Sequence, residues 1–159
     1  MKTSRSLPTH LRFALCLLTL QPTFLSALES DQEQPIRIQA DAAIVDETSG
    51  SSVYKGNVII TQGTLEVTAN EVEIFTADGE VIQIIAKTES DSEILAHYQQ
   101  QINEAMDMVV ADAQKITYLV QEERLHLSGD ARLQQVQDVF TGQLLYYDLG
   151  RGIVNLNSS

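Results

Sequence analysis

The sequence predicts an all-β fold, and three observations lead to that prediction. Apolar and polar residues alternate with a period of two along almost the whole chain after residue 35, which is the pattern of strands with one buried face. Turn sequences such as Asp78-Gly79 separate these runs, and Asp-Gly favours the tight turns of β-hairpins. An internal repeat relates two groups of strands. We count about fourteen short antiparallel strands, which is typical of a sandwich, barrel or roll.

The N-terminus has the features of a secretory signal peptide, which we assign to residues 1–27. Three basic residues accompany a short apolar run at residues 13–20, and Ser26-Ala27 offers a small-residue cleavage site. This run is shorter than the stretch of about 20 apolar residues that a membrane-spanning helix needs. A retained anchor would have to combine it with residues 23–28.

Composition after the signal excludes several classes of function. The chain of 159 residues has 10 basic and 22 acidic residues, and removal of the signal takes away three basic residues and no acidic ones. The remaining net charge of −15 argues against binding to nucleic acid or to an anionic membrane surface. Cys16 is the only cysteine and leaves with the signal, so the fold depends on core burial and hydrogen bonds. Residues 28–35 are polar and acidic and are expected to form a flexible arm before a domain at residues 36–157.

One segment conflicts with the strand pattern. Between residues 94 and 116, apolar residues recur at helical spacing. A helix there would interrupt the β pattern on both sides. We therefore favour two strands joined by a helical turn near residues 102–106.

The internal repeat aligns residues 54–72 with residues 127–145 without gaps, at a constant offset of 73. Gly56 then coincides with Gly129, and the apolar positions 58, 60, 67 and 72 remain apolar in the second segment. Two strand groups of this kind are expected to stack along an axis and bury a common apolar face.

The sequence predicts no catalytic residue, no metal site and no cofactor. His97 and His126 lie 29 residues apart, and no cysteine follows the signal to complete a zinc site. The serine-rich residues 48–52 lack the Gly-x-Ser-x-Gly frame of a nucleophile elbow. Glu71 and Glu73 alternate along one strand and are expected to lie on its solvated outer face. An enzyme is therefore not predicted.

The stretches QPIRIQADAAIVDE (residues 34–47), YKGNVIITQGTLEVTANEVEI (54–74) and GDARLQQV (129–136) resemble the OstA/LptA-type proteins of lipopolysaccharide transport. The resemblance covers residues 34–149 and is weakest across residues 88–112. It implies a twisted, open, V-shaped β-jellyroll in the periplasm. It also implies a carrier that binds the lipid A part of lipopolysaccharide and contributes to outer-membrane assembly. The implied partners are an LptC-like inner-membrane protein and an LptD-like outer-membrane protein.

The inward positions of the alternating strands form a mid-sized aliphatic set. Such a wall suits flexible acyl chains, because each buried CH₂ group contributes about 0.8 kcal/mol. The same residues would form the core of any β-sandwich, and a groove is in this interpretation a core left partly open. The residues expected to line it are Ile36, Ile38, Val58, Ile60, Leu65, Val67, Val72, Ile74, Ile82, Ile84, Ile116, Tyr118, Leu133 and Phe140. At the rim, Arg37, Lys55 and Arg132 are expected to contact the anionic head group.

The resemblance further implies head-to-tail assembly of copies by strand addition at the two ends of the roll, where backbone groups lack partners. We expect residues 36–40 to form one edge, and residues 144–147 or 153–156 to form the other. A contact between unlike surfaces can continue from copy to copy. Two alternatives stay open: a structural adaptor that docks membrane partners by edge pairing without binding lipid, and, more distantly, an acidic protein that binds divalent cations.

Overall fold

A computed structural model describes residues 31–89, 93–103 and 107–156. The predicted signal peptide lies outside these ranges, as do residues 28–30 of the predicted arm and residues 104–106 of the expected helical turn. Across the described ranges, we find no helix with the length and apolar character needed to span a bilayer.

The described chain consists almost entirely of strands. A 3₁₀ turn at Asp31–Glu33 precedes eleven strands: β1 Arg37–Gln39, β2 Ala42–Asp46, β3 Ser51–Gln62, β4 Leu65–Ala77, β5 Glu80–Lys87, β6 Ala96–Gln101, β7 Met108–Ala113, β8 Lys115–Leu119, β9 Arg124–Gln135, β10 Asp138–Asp148 and β11 Ile153–Leu156. Long strands such as β4 and β9 each contain two of the short alternating stretches that were predicted as separate strands. The described ranges therefore contain eleven strands, whereas about fourteen shorter ones were expected.

All eleven strands belong to one antiparallel sheet that is folded into two layers. Strands β3, β4 and β9 pair with different neighbours along their two halves, and β10 pairs with β11 along its second half only. This places one half of each of these four strands in each layer. Layer one has the order β2, β3, β4, β5, β8, β9, β10, β11. Layer two has the order β1, β3, β4, β6, β7, β9, β10. The all-β prediction is confirmed.

The predicted repeat is present in the structure and extends beyond the aligned sequence. Strands β1 to β5 correspond to β7 to β11 at the offset of 73, and β6 lies between the two groups. Matching hydrogen bonds recur at the same offset. The Asp41 N–H donates to the carbonyl of Gly56 at 2.9 Å, and the Gln114 N–H donates to the carbonyl of Gly129 at 2.8 Å.

The two glycines of the repeat lie where β3 and β9 pass from one layer to the other. Gly56 and Gly129 have φ of 75° and 78°, and the next residues, Asn57 and Asp130, are also left-handed at 46° and 49°. The pairing register of β3 with β4 shifts at this point, as expected for a bulge that bends a strand. Glycine is favoured there because a side chain with a Cβ is strained at positive φ.

The apolar side chains of both layers fill the space between them. Every buried residue in the described ranges is apolar or a tyrosine. Tyr98 from layer two and Tyr118 from layer one meet edge to face, with ring centroids 5.5 Å apart. Each large aliphatic side chain buried in this way contributes about 1.5–3 kcal/mol. The two layers therefore share one core.

Residues 31–35 of the expected flexible arm make specific hydrogen bonds. The Asp31 carboxylate accepts from the Thr64 N–H at 2.7 Å and from the Gln100 side chain at 2.8 Å, both in or beside layer two. Burial raises the pKa of Tyr118 in layer one, and the Gln32 side chain acts on that pKa in the opposite direction, which places Gln32 beside this layer. The segment thus crosses between the layers on the side away from the bends. The flexibility expected of residues 28–35 stays a prediction.

The segment with helical spacing forms strands. Ala96–Gln101 and Met108–Ala113 pair with each other as β6 and β7, which confirms the two-strand interpretation. Ile94 and Leu95 contributed to the helical pattern, but they precede β6. The apparent helical period therefore combines apolar loop residues with the inward-facing residues of the strands that follow.

Candidate functional site

The residues expected to line a groove converge on the interior between the layers. Ten of the fourteen are buried there: Val58, Ile60, Leu65, Val67, Val72, Ile74, Ile84, Ile116, Tyr118 and Leu133. Ile36, Ile38 and Phe140 are half-buried and pack against this core. Ile36 and Ile38 lie at the β1 end of layer two, and Phe140 lies at its β10 end. The apolar interior thus reaches both ends of the roll.

Ile82 departs from the predicted alternation. Phe75 pairs with Gln83 and Thr76 pairs with Val81, so that Ile82 falls at a register shift between β4 and β5. As a result Val81, rather than Ile82, packs against the core. The sequence shows Ile82, Ile84 and Ala86 in strict alternation, and nothing in that pattern reveals the irregularity.

Part of the interior was not predicted from the sequence, mainly in the second repeat. These buried residues are Ala86, Ala96, Tyr98, Val109, Ala111, Ala113, Val120, Leu125, Leu127, Ala131, Leu145 and Tyr147. The repeat contains a signal that finds some of them. At the offset of 73, Val72 corresponds to Leu145 and Ile74 corresponds to Tyr147. The alignment already pairs Val72 with Leu145, and extending it by two residues pairs Ile74 with Tyr147, so both would have been assigned as inward.

Three tyrosines bring hydroxyl groups into this otherwise aliphatic interior. Burial is the main cause that raises the pKa of Tyr98 well above its ordinary value, that of Tyr118 to about 12, and that of Tyr147 upward. All three phenols are therefore neutral near neutral pH and act as hydrogen-bond donors and acceptors. The Tyr98 hydroxyl donates to the Gln100 side-chain oxygen.

The three expected head-group contacts do not come together. Arg37 on β1 is exposed and lies opposite Thr61, on the outer face of layer two. Lys55 lies on the outer face of layer one, where its ammonium is 2.9 Å from the Glu71 carboxylate. The hydrogen bond from Lys55 is the main cause that lowers the pKa of Glu71. Arg132 lies on the outer face of layer two. A head-group role for these residues stays a prediction.

Arg132 belongs to a cleft of about 810 Å³ on the outer face of layer two. Its guanidinium is 3.8 Å from the Asp112 carboxylate, which is itself 2.7 Å from Nδ1 of His97. Glu93 and Asp130 also line the cleft, so carboxylates outnumber the guanidinium. This charge balance does not favour an anionic ligand. Within the described ranges, no three His, Cys, Asp or Glu side chains come together to hold a metal ion.

The two ends of the roll present unpaired strand edges. In the described part of the chain, β1 and β2 are terminal strands at one end, and β11 of layer one and the first half of β10 in layer two are terminal at the other. Residues 145–147 pair with β9 on one side and with β11 on the other, so residues 153–156 rather than 144–147 lie at this edge of layer one. Assembly through this edge stays a prediction. Large apolar side chains are exposed at both ends, including Ile44 at 69% and Leu156 at 58%.

The sequence and the fold match one protein family. Residues 37–153 match the family described as LptA/(LptD N-terminal domain) LPS transport protein. The chain is 37% identical over 132 residues to the lipopolysaccharide export system protein LptH of Pseudomonas aeruginosa, and the match covers 81% of this chain and 71% of that protein. It is 31% identical over 121 residues to the lipopolysaccharide export system protein LptA of Escherichia coli K12, covering 76% of this chain and 63% of the relative.

The fold itself has a solved counterpart. The crystal structure of LptH from Pseudomonas aeruginosa, described as the LptA-homologous periplasmic component of the lipopolysaccharide transport device, superposes with a TM-score of 0.73 at 33% sequence identity. The match covers 82% of this chain and 87% of that chain. The expected OstA-like β-jellyroll is confirmed. This chain belongs to the LptA/(LptD N-terminal domain) family of LPS transport proteins.

Proposed function

We propose that this chain is a periplasmic carrier that shields the acyl chains of lipopolysaccharide during transport from the inner to the outer membrane. The observation that carries the proposal is the interior between the layers, where the described buried residues are apolar or tyrosine and which reaches both ends of the roll. Flexible acyl chains require such a surface, because their transfer from water is favourable in proportion to the apolar area removed. The names of the relatives supply the identity of the lipid.

Entry of acyl chains requires the two layers to separate on the side away from the bends. The strands that pass from one layer to the other do so on one side only. On the opposite side, the layers meet through the Tyr98–Tyr118 contact and through residues 31–35. These contacts are small compared with the core, so this side is the natural place for lateral opening.

The anionic head group is expected to remain in solvent beside the roll. The outer face of layer one carries alternating charges, with Lys55 and Lys87 bound to Glu71 and Glu73. A strongly acidic exterior does not attract phosphate groups. Affinity in this proposal therefore comes from the acyl chains rather than from ion pairs.

Transfer from protein to protein is proposed to use strand pairing at the free edges. Inside the chain, β5 of the first repeat pairs with β8 of the second. At the offset of 73, β11 corresponds to β5 and β2 corresponds to β8. The free edge of β11 therefore corresponds to the edge of β5 that pairs with β8 inside the chain. By the same pairing, β11 of one domain can pair with β2 of the next. Because Gln83 faces Leu119 in the internal junction, Leu156 is expected to face Asp46 of the next domain.

The neighbouring domain is proposed to be a second copy of the chain or a related domain of an inner-membrane or outer-membrane transport partner. Ile44→Asp on β2 and Leu156→Asp on β11 should each weaken self-association, measured by analytical ultracentrifugation over a range of concentrations. Thr48→Asp adds the same charge in the turn after β2 and serves as the control. Equal self-association of all variants would argue against edge pairing.

Site-specific photocrosslinking in cells tests the carrier function. A photoreactive amino acid at Ile36, Ile38 or Phe140 should form adducts with lipopolysaccharide, because these half-buried side chains lie where the interior meets the ends. The same amino acid at Glu71 or Glu73 on the outer face should form none. Adducts with proteins alone at the inward positions would favour the adaptor that docks partners without lipid. Native mass spectrometry of the purified chain gives an independent reading, since a carrier should retain glycolipid.

A further inference from the structure

The interior contains one polar atom without a partner. Tyr147 is 1% exposed, and its hydroxyl is the single buried side-chain nitrogen or oxygen in the described residues that makes no hydrogen bond. Unpaired buried hydroxyls are rare, because the group loses its hydrogen bonds to water and gains none in return. A phenylalanine would fill the same space without that loss. The hydroxyl therefore requires an explanation other than packing.

The neighbouring Tyr98 shows that the fold can satisfy such a group, because its hydroxyl donates to the Gln100 side chain. The rings of Tyr98 and Tyr118 meet edge to face, and Tyr147 belongs to the same buried core. The Tyr98 hydroxyl thus has a protein partner, whereas the buried Tyr147 hydroxyl has none.

The position of Tyr147 is set by strands and is well defined. Tyr147 pairs with Leu125 of β9 on one side and with Val154 of β11 on the other, and its neighbours Leu125 and Leu145 are buried. Val154 packs against the same core near the β11 end of the roll. Because Tyr147 is buried, a ligand reaches its phenol only when the layers separate, as the proposed function requires.

We propose that the Tyr147 hydroxyl is a hydrogen-bonding point for an oxygen atom carried on the acyl chain of the bound lipid, either a hydroxyl or an ester carbonyl. This inference rests on the proposed function. In an aliphatic wall, an oxygen on the chain would be buried without a partner, which disfavours binding. The phenol removes that penalty at one place, and it does so for both oxygen types because it donates and accepts. The residue thereby allows the interior to accept oxygen-bearing chains without that penalty.

The test uses two probes, tetradecanoate and 3-hydroxytetradecanoate, with wild-type protein and Tyr147→Phe. Wild-type protein should bind the hydroxylated chain at least as tightly as the plain chain. Tyr147→Phe should bind the hydroxylated chain about tenfold more weakly than wild type and should bind the plain chain equally well. Tyr146→Phe is the matched control, since Tyr146 faces outward against His126 with ring centroids 4.7 Å apart, and it should behave as wild type.

Each outcome has a defined meaning. If the ratio of the two affinities is the same in wild type and Tyr147→Phe, the inference is overturned. It is also overturned if Tyr147→Phe lowers the melting temperature, because the hydroxyl would then have a structural partner. If wild-type protein binds neither chain and retains no lipopolysaccharide, the proposed carrier function fails. Binding of both probes with an unchanged ratio leaves the carrier function intact and removes only the role of Tyr147.

Discussion

Replacement of Ile38 by glutamate should weaken lipid binding at least tenfold while the roll stays folded. Ile38 lies on the short terminal strand β1, where it pairs with Ile60 and packs half-buried against the core. Half of the 1.5–3 kcal/mol available from full burial of isoleucine would be lost, or about 0.8–1.5 kcal/mol. That loss is small beside the 5–15 kcal/mol that stabilises a typical domain. A carboxylate at the entrance of an apolar groove should weaken acyl-chain binding at least tenfold, because it must be desolvated or neutralised when the chain is bound.

The assay combines thermal unfolding with lipopolysaccharide binding, measured by photocrosslinking from Phe140 at the other end of the roll. Gln39→Glu is the matched control. It adds the same carboxylate to the next residue of β1, but Gln39 is exposed and faces away from the core. The control should bind lipid as the wild type does. Normal crosslinking in Ile38→Glu would refute the inward assignment of Ile38. A large fall in melting temperature would show that β1 is required for folding, which contradicts the small loss of stability expected here.

Three further predictions concern the bends, the crossing segment and pH. Gly129→Ala should destabilise the fold by about 1–2 kcal/mol in chemical denaturation, because φ there is 78°, whereas Gly142→Ala, which has no positive φ, should change stability little. Asp31→Ala removes the acceptor of three hydrogen bonds and should speed amide hydrogen exchange at residues 31–35 without altering exchange in β9. Burial lowers the pKa of His126 in the folded state below its ordinary value of 6.5. The unfolded chain therefore binds this proton more readily, so the folded state loses stability as the pH falls below 6.5. His126→Gln should therefore flatten the fall in melting temperature between pH 6.5 and 5, and an unchanged slope would contradict this assignment.

The sequence predicted the strands and most of the interior because alternation reports directly which side chains face inward. Ile60 and Val67 follow that rule and are fully buried. Prediction failed where the backbone departs from regular pairing. The register shift beside Ile82 leaves no mark on the sequence, since both Val81 and Ile82 are apolar. The hydrogen bonds of Asp31 were equally invisible, because they join residues far apart in the chain.

The contacts that close the unbent side are weak enough for an acyl chain to replace. An edge-to-face pair such as Tyr98–Tyr118 contributes about 0.5–1.5 kcal/mol beyond its buried area. The exposed hydrogen bonds at Asp31 contribute about 1 kcal/mol each. Opening therefore costs a few kcal/mol in specific contacts, which burial of about five CH₂ groups offsets at about 0.8 kcal/mol each. The apolar side chains that opening exposes are covered again by the lipid. On the other side, continuous strands run through the bends and hold the layers together. Because the four strands that join the layers all bend on one side, the roll can open on the other side without unfolding.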